Sequence, residues 1–285
     1  MSDFNLKRIY NTRNFIEMNY NQIISINSLE DISSYSYRNL QRVFYSLFKE
    51  TIGAYQTRLK VENGYKKLLY SNAQISDIAL EVGFADVQSF SKTFKKHFNC
   101  SPSVARNQKE ALLNDIHPQE TISSNLKPEI LFIPEITAYY SSCKTSYINP
   151  EIEDLWDALL ENEITTISDF FGIITDDLVI TEKSKCTYEA CIVTETVIKN
   201  LPSKKLFGGK YARFLHYGSY ETLEDTYQQI FGAWFLNNDI EISHLPVIEQ
   251  YIKNDSNCST SADYLTAILF LLFNLSILDN YAIML

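Results

Sequence analysis

The most chemically suggestive residue is Glu249, a carboxylate inside the apolar run PVIEQYI at 246–252. Such a run reads as a strand. A carboxylate turned from it into a crevice loses hydration, which raises its pKa unless an organic cation compensates the charge. Trp156, Tyr211, Trp234 and Tyr251 are the aromatic residues assigned to complete that site, because ring faces attract cations. Each has a plainer reading. Period-two alternation also permits Glu249 on the solvent face. Trp156 and Trp234 lie on apolar helix faces and fit a core equally well. With 19 Tyr in the chain, any one tyrosine is a weak signal.

A second group of residues suits nucleic acid. Between Gln74 and Arg106, Ile75, Ile78, Ala79 and Val82 recur at helical spacing and Gly83 follows as a stop. Asp86 can cap the next helix, whose Phe90, Phe94 and Phe98 turn inward while Gln88, Ser91, Lys92, Lys95 and Lys96 form the other face. An apolar back with a basic, amide-rich front is what a helix needs to enter a DNA major groove. An ordinary helical hairpin with a solvated basic face is the alternative. Upstream, YRNLQRVFYSLFKE at 37–50 repeats the design, with Leu40, Phe44, Leu47 and Phe48 inward and Tyr37, Arg38, Asn39, Gln41 and Arg42 outward. Ser36 is its expected cap, and Ser28 with Asp31 suggests a capping box for the helix before it. Residues 5–21 read as an opening helix and 52–70 as a longer one holding the two units apart.

Enzyme chemistry finds little support. His216 has no nucleophile paired to it in sequence, and His97, His117 and His244 show no metal-ligand spacing. The five Cys are scattered, which argues against a disulfide framework or a zinc site. With 8 Gly, no phosphate-binding loop is found. No cofactor, metal or catalytic residue is therefore assigned.

The elements that must carry these residues fall into two halves. Residues 1–110 hold 15 Lys/Arg against 10 Asp/Glu, and residues 111–285 hold 10 against 25, so balances of +5 and −15 make up the net −10. A basic half joined to an acidic half suggests two partners of different chemistry. Periodicity fades between Lys109 and Lys127, ahead of Pro128. Strands are then expected at 129–142, 170–175, 188–197, 209–216, 246–252 and 264–270, with helices at 150–164 and 219–236. That is two strand–helix–strand–strand repeats of about 75 residues, a pattern that favours one sheet system with a central crevice.

The first half resembles the AraC-type DNA-binding domain in LQRVF at 40–44, IGAYQTRL at 52–59, ISDIALEVGF at 75–84 and SFSKTFKKHFNCSP at 89–102. That domain carries two helix-turn-helix units joined by a long helix. The resemblance implies promoter contacts from Arg38, Gln41 and Arg42 in one recognition helix and from Val87, Gln88, Ser91 and Lys92 in the other. The segment LEDISSYSY is about three residues shorter than the family pattern and has no Gly in its turn, and Asn99 stands where Gly is frequent. The second half resembles the GyrI-like effector-binding domain in FFGIITDD at 170–177, YEACIVT at 188–194, FLHYGSYETLEDTYQQIFGAW at 214–234 and LPVIEQYI at 245–252. That resemblance also points to Glu249 as the pocket carboxylate.

The expectation is a multidomain protein: an all-α tandem helix-turn-helix domain at 1–110, a linker at 111–127, and an α+β domain at 128–285. Its expected partners are double-stranded promoter DNA, a small cationic or amphipathic effector and RNA polymerase. Two rival readings of the second domain are a small-molecule hydrolase with Glu249 as general base, and a protein-interaction module without a ligand. The polar, charged start of the chain suggests a cytoplasmic protein. The apolar run at 267–285 is interrupted by Asn274, Ser276, Asp279 and Asn280; it fits a packed extension, a dimer contact or a membrane tail, of which the last is disfavoured.

Overall fold

A computed structural model describes residues 3–108, 127–145, 151–161, 166–177, 180–181, 185–235, 242–243 and 245–272. The expected linker lies almost wholly outside the described residues, and the tail beyond 272 entirely so.

Seven helices open the chain: α1 Asp3–Met18, α2 Ile26–Ser33, α3 Tyr37–Phe48, α4 Ile52–Tyr70, α5 Ile75–Glu81, α6 Val87–Phe98 and α7 Pro102–Asn107. Leu40, Phe44 and Phe48 of α3 pack with Ile9, Ile16, Leu29 and Tyr55 in one core. Phe90 and Phe94 of α6 pack with Tyr65, Leu68, Ile78 and Val82 in another. Recurrence every three to four residues is what brings each set to one helix face. Helix α4 contributes to both cores and so fixes the spacing of the two units.

The helix ends follow local chemistry, with two departures from expectation. Gly83 takes φ +85°, and a Cβ there would lie 2.0 Å from the Asn21 carbonyl oxygen. Asn99 ends α6 at φ 59°, a conformation an amide side chain tolerates. The cap of α2 is Ser25, not Ser28: its Oγ accepts the Ser28 N–H at 3.0 Å, so the helix starts earlier. Ser36 precedes α3 but gives no side-chain cap; Glu30 Oε1 accepts the Tyr37 N–H at 2.6 Å instead. In the shortened turn, Ser34 adopts φ 54°, supplying the left-handed residue without Gly.

The second half forms one eight-stranded, wholly antiparallel sheet. Its strands are β1 Glu129–Ile133, β2 Ile136–Lys144, β3 Asp169–Ile174, β4 Thr187–Val193, β5 Ser203–Leu206, β6 Gly209–Tyr217, β7 Val247–Lys253 and β8 Leu265–Leu271. Their spatial order is β1-β6-β8-β7-β3-β4-β2-β5. The short strand β5 had no counterpart in the sequence reading. Among the described residues two α-helices interrupt the strands: α8 Glu151–Leu160, and α9 Leu223–Gln229, which begins after a 3₁₀ turn and runs on into a π-helical turn at Ile230–Trp234. Residues 219–236 are therefore not one regular helix.

Register fixes which side chains share a face. A row of partners runs Phe214, Ile268, Glu249, Gly172, Ala190 across β6, β8, β7, β3 and β4. At one end of that row Phe214 and Ile268 pack under α9 and its π turn. Toward the other end Tyr188, Ala190 and Ile192 pack under α8. Glu249 thus lies on the helix-bearing face, between the two helices.

Candidate functional site

Strand β7 places Glu249 and Tyr251 on the same face, two residues apart. Glu249 is 5% exposed. Its Oε1 accepts the Tyr227 hydroxyl of α9 at 2.8 Å, and its Oε2 accepts the Tyr251 hydroxyl at 2.6 Å. The Tyr188 hydroxyl lies 2.8 Å from that of Tyr251, and Trp156 Nε1 donates to Tyr188 at 3.2 Å. An indole N–H can only donate and an ionised carboxylate can only accept. Those two ends give the chain one direction: Trp156 to Tyr188 to Tyr251 to Glu249.

Glycine makes the arrangement possible. A Cβ on Gly172 would lie 2.4 Å from the Tyr251 hydroxyl and 2.6 Å from that of Tyr188. The Trp156 and Tyr220 rings stand 5.8 and 5.3 Å from the Tyr251 ring. Tyr220 is partly exposed and marks the side of the site open to solvent. Burial raises the pKa of Glu249; the bonds from Tyr251 and Tyr227 oppose the shift without cancelling it. Among the described residues no basic side chain forms an ion pair with this carboxylate. The site is one buried acid among tyrosine hydroxyls and aromatic rings.

The expected set is therefore gathered only in part. Glu249, Tyr251 and Trp156 come together. Tyr211 does not: it projects from the opposite face of β6, donates to the Phe207 carbonyl at 2.7 Å, and packs with Ile248 and Leu269. Trp234, 6% exposed, is core, with its ring 5.0 Å from that of Phe214. Tyr188, Tyr227, Tyr220 and Gly172 were missed. Gly172 alone carried a readable signal, since a lone glycine inside a strand marks close approach of another group. His216 is held by Thr226 and the Ser219 carbonyl.

The residues expected to meet DNA lie on or beside exposed helix faces. Asp86 Oδ1 accepts the Ser89 N–H at 2.7 Å and starts α6 there, which leaves Val87, Gln88 and Lys92 exposed and Ser91 half-buried. On α3, Arg38 and Arg42 are exposed, with Arg42 donating to Asn39 at 2.9 Å. Gln41 is half-buried and donates to the Tyr37 hydroxyl at 2.7 Å, a bond it must give up to reach a base. Among the described residues no cluster of His, Cys, Asp or Glu suits a metal ion, and no helix is long and apolar enough to cross a membrane.

Two exposed, basic-faced helices on a helical half, followed by a strand-rich half with a buried acid, are the layout of a helix-turn-helix domain joined to a small-molecule binding domain. Residues 126–271 match the GyrI-like small molecule binding domain and residues 29–108 match a helix-turn-helix domain; the chain belongs to the GyrI-like family and carries an AraC-type helix-turn-helix domain ahead of it. Its relatives include the HTH-type transcriptional activator AarP of Providencia stuartii, 36% identical over 32% of this chain and 68% of AarP. The putative HTH-type transcriptional regulator YkgA of Escherichia coli is 33% identical over 46% of this chain, which spans 55% of the length of YkgA. Among solved structures, an EcmrR–DNA complex aligns with 82% of this chain and 99% of its own at 18% identity and a TM-score of 0.43.

Proposed function

We propose that this protein regulates transcription by binding promoter DNA through α3 and α6 and by sensing an organic cation or cationic amphipath at Glu249. The observation that carries the effector class is a buried carboxylate whose hydrogen-bond donors, among the described residues, are neutral tyrosine hydroxyls, with aromatic rings beside it. A cation entering there supplies the charge that Glu249 lacks, and the rings add attraction to its face. Boundaries at 1–110, 111–127 and 128–285 belong to this reading, as does RNA polymerase as a partner at the promoter. So does a duplication: β2-α8-β3-β4 and β6-α9-β7-β8 form two like halves. The sheet order supports it, since the leading strands β1 and β5 each pair with the other half.

The test of the effector class is titration with tetraphenylphosphonium, a large aromatic cation, read by Trp fluorescence, against the neutral triphenylphosphine oxide. Binding of the cation alone is expected. Glu249→Gln should weaken it about tenfold to a hundredfold, because a charged contact contributes about 1.5–3 kcal/mol. Equal binding of the two probes, or full affinity in Glu249→Gln, sinks the cationic reading. The raised pKa of Glu249 also sets a sign with pH. The cation needs the ionised acid, so affinity should be level above that pKa and fall by up to about tenfold per pH unit below it. In Glu249→Gln this dependence should vanish.

The DNA residues make a separate prediction, read on the best duplex selected from a random library. Arg42→Ala should cost about 1–3 kcal/mol and relax preference at one base position if Arg42 reads a base edge. Lys92→Ala, as a phosphate contact, should weaken all duplexes alike and lower the salt slope by about 1. Unchanged affinity and slope in both variants would remove these residues from the interface.

A further inference from the structure

Three consecutive residues at the start of β4 reach three different places. The Thr187 N–H donates at 2.8 Å to Asp176, whose other oxygen lies 3.5 Å from Arg58 of α4. Tyr188 turns to the helix-bearing face and bonds Tyr251, next in line to Glu249. Glu189 turns to the opposite face, fully buried, where Arg13 of α1 bonds one oxygen and Lys204 of β5 donates to the other at 2.5 Å. Strand alternation sends the Tyr188 and Glu189 side chains to opposite faces, while Thr187 acts through its backbone N–H. The two basic anchors, Arg13 and Arg58, belong to the helical half. Asp176, in the loop after β3, shares Arg58 with Glu62 at 2.9 Å and Glu50 at 3.1 Å, and Glu189 of β4 shares Arg13 with Glu17.

Further contacts extend the grip. The Tyr140 hydroxyl of β2 donates to Asn14 of α1 at 2.9 Å, and Arg13 donates to Ser142 at 3.3 Å. Lys144, at the end of β2 and paired with Thr187, donates at 3.1 Å to the Phe48 carbonyl, which closes the recognition helix α3. The sheet therefore holds α1, the end of α3 and the middle of α4. These are the parts that set how α3 is presented and how far it stands from α6.

We propose that the segment Thr187–Glu189 couples the Glu249 site to the first helix-turn-helix unit, so that an occupant displacing the Tyr188 hydroxyl loosens the hold on α1 and α4. This rests on the reading of Glu249 as an effector site. A ligand shifts such an equilibrium only through different affinity for the gripped and loosened states, and the coupling is reciprocal. DNA that favours one presentation of α3 must then change affinity at Glu249 by the same factor.

Amide hydrogen exchange on the full chain tests it. Tyr188→Phe removes one hydroxyl from the effector side and touches nothing in the helical half. It is expected to speed exchange at least fivefold in α1 around Arg13 and in α4 around Arg58, leaving α5 to α7 unchanged. Lys205→Ala, which breaks an exposed ion pair with Glu135 in the turn between β1 and β2, is expected to leave α1 and α4 at wild-type rates. Saturating tetraphenylphosphonium on the wild type should reproduce the Tyr188→Phe pattern. Should Tyr188→Phe fail to fold, Trp156→Phe, which removes the donor at the far end of the chain, takes its place with the same expectation. Wild-type exchange in α1 and α4 in the folded variant overturns the coupling, as does a bound cation that leaves them unchanged. A probe that fails to bind counts against the effector class alone, because the variant arm still decides the coupling.

Discussion

Glu189→Gln is expected to destabilise the folded chain by about 3–5 kcal/mol, the cost of removing one partner from a buried charge group. Arg13 would remain buried and Lys204 half-buried, with Glu17, 3.2 Å from Arg13, the acid left to balance them among the described residues. Burial by itself pushes the Glu189 carboxyl upward, but Lys204 and then Arg13 outweigh it and hold the group below the ordinary carboxylate range. The sign with pH follows. A lowered folded pKa gives stability that is complete above the unfolded value and is lost as pH falls through the folded one. The difference between wild type and variant should therefore be full at neutral pH and shrink in acid. Urea unfolding at pH 7 and in acid measures both. An exposed pair offers contrast: Lys205 and Glu135 stand 2.6 Å apart in solvent, where such pairs contribute roughly 0–1 kcal/mol. A loss below about 1 kcal/mol in Glu189→Gln would mean the buried group does not hold the halves together.

The helical half was legible because its signals are local. Phe90, Phe94 and Phe98 needed only helical period, and Asp86, Gly83 and Asn99 needed only their own backbone preferences. The α2 cap was misread because Ser25 and Ser28 are both competent caps, and the choice depends on where the apolar face of α2 meets α1. The sheet was legible as strands and helices but not as a site. That Glu249 and Tyr251 share a face could be read from alternation within β7. Whether Tyr211 shares their face depends on register across β6, β8 and β7, which no single strand encodes. Tyr188 reaches Glu249 because β4 lies two strands from β7 in space, although about 60 residues separate them in sequence. Tyr227 and Trp234 sit on one short helix with similar chemistry, yet the first turns its hydroxyl to Glu249 and the second is core. The π turn at Ile230–Trp234 shifts helical phase between them, and π turns recur at functional sites.

Gly172→Ala is expected to cost about 3–5 kcal/mol at the effector site while leaving the helical half folded. The added methyl meets two hydroxyls, at 2.4 and 2.6 Å, well inside contact distance. Neither can simply swing aside. The Tyr188 ring is buried and the Tyr251 ring half-buried, and their hydroxyls are already bonded to Trp156, to each other and to Glu249. Overpacking of this kind costs about 1–3 kcal/mol. Pulling the Tyr251 hydroxyl from Glu249 removes a charge-assisted bond of about 1.5–3 kcal/mol. Gly53 on the exposed surface of α4 is the matched control, because a Cβ there meets nothing within 4 Å. Gly53→Ala should be neutral or raise stability by about 0.4–1 kcal/mol through the unfolded chain. Urea unfolding and tetraphenylphosphonium titration of both variants separate packing from binding. If Gly172→Ala keeps wild-type stability and cation affinity, the tyrosine chain does not occupy the space beside β3. If stability falls but affinity holds, the chain is structural and Glu249 recruits its ligand without it. Loss of both is what a glycine reserved for two hydroxyls requires, and it would make this small residue as necessary to the site as the acid it serves.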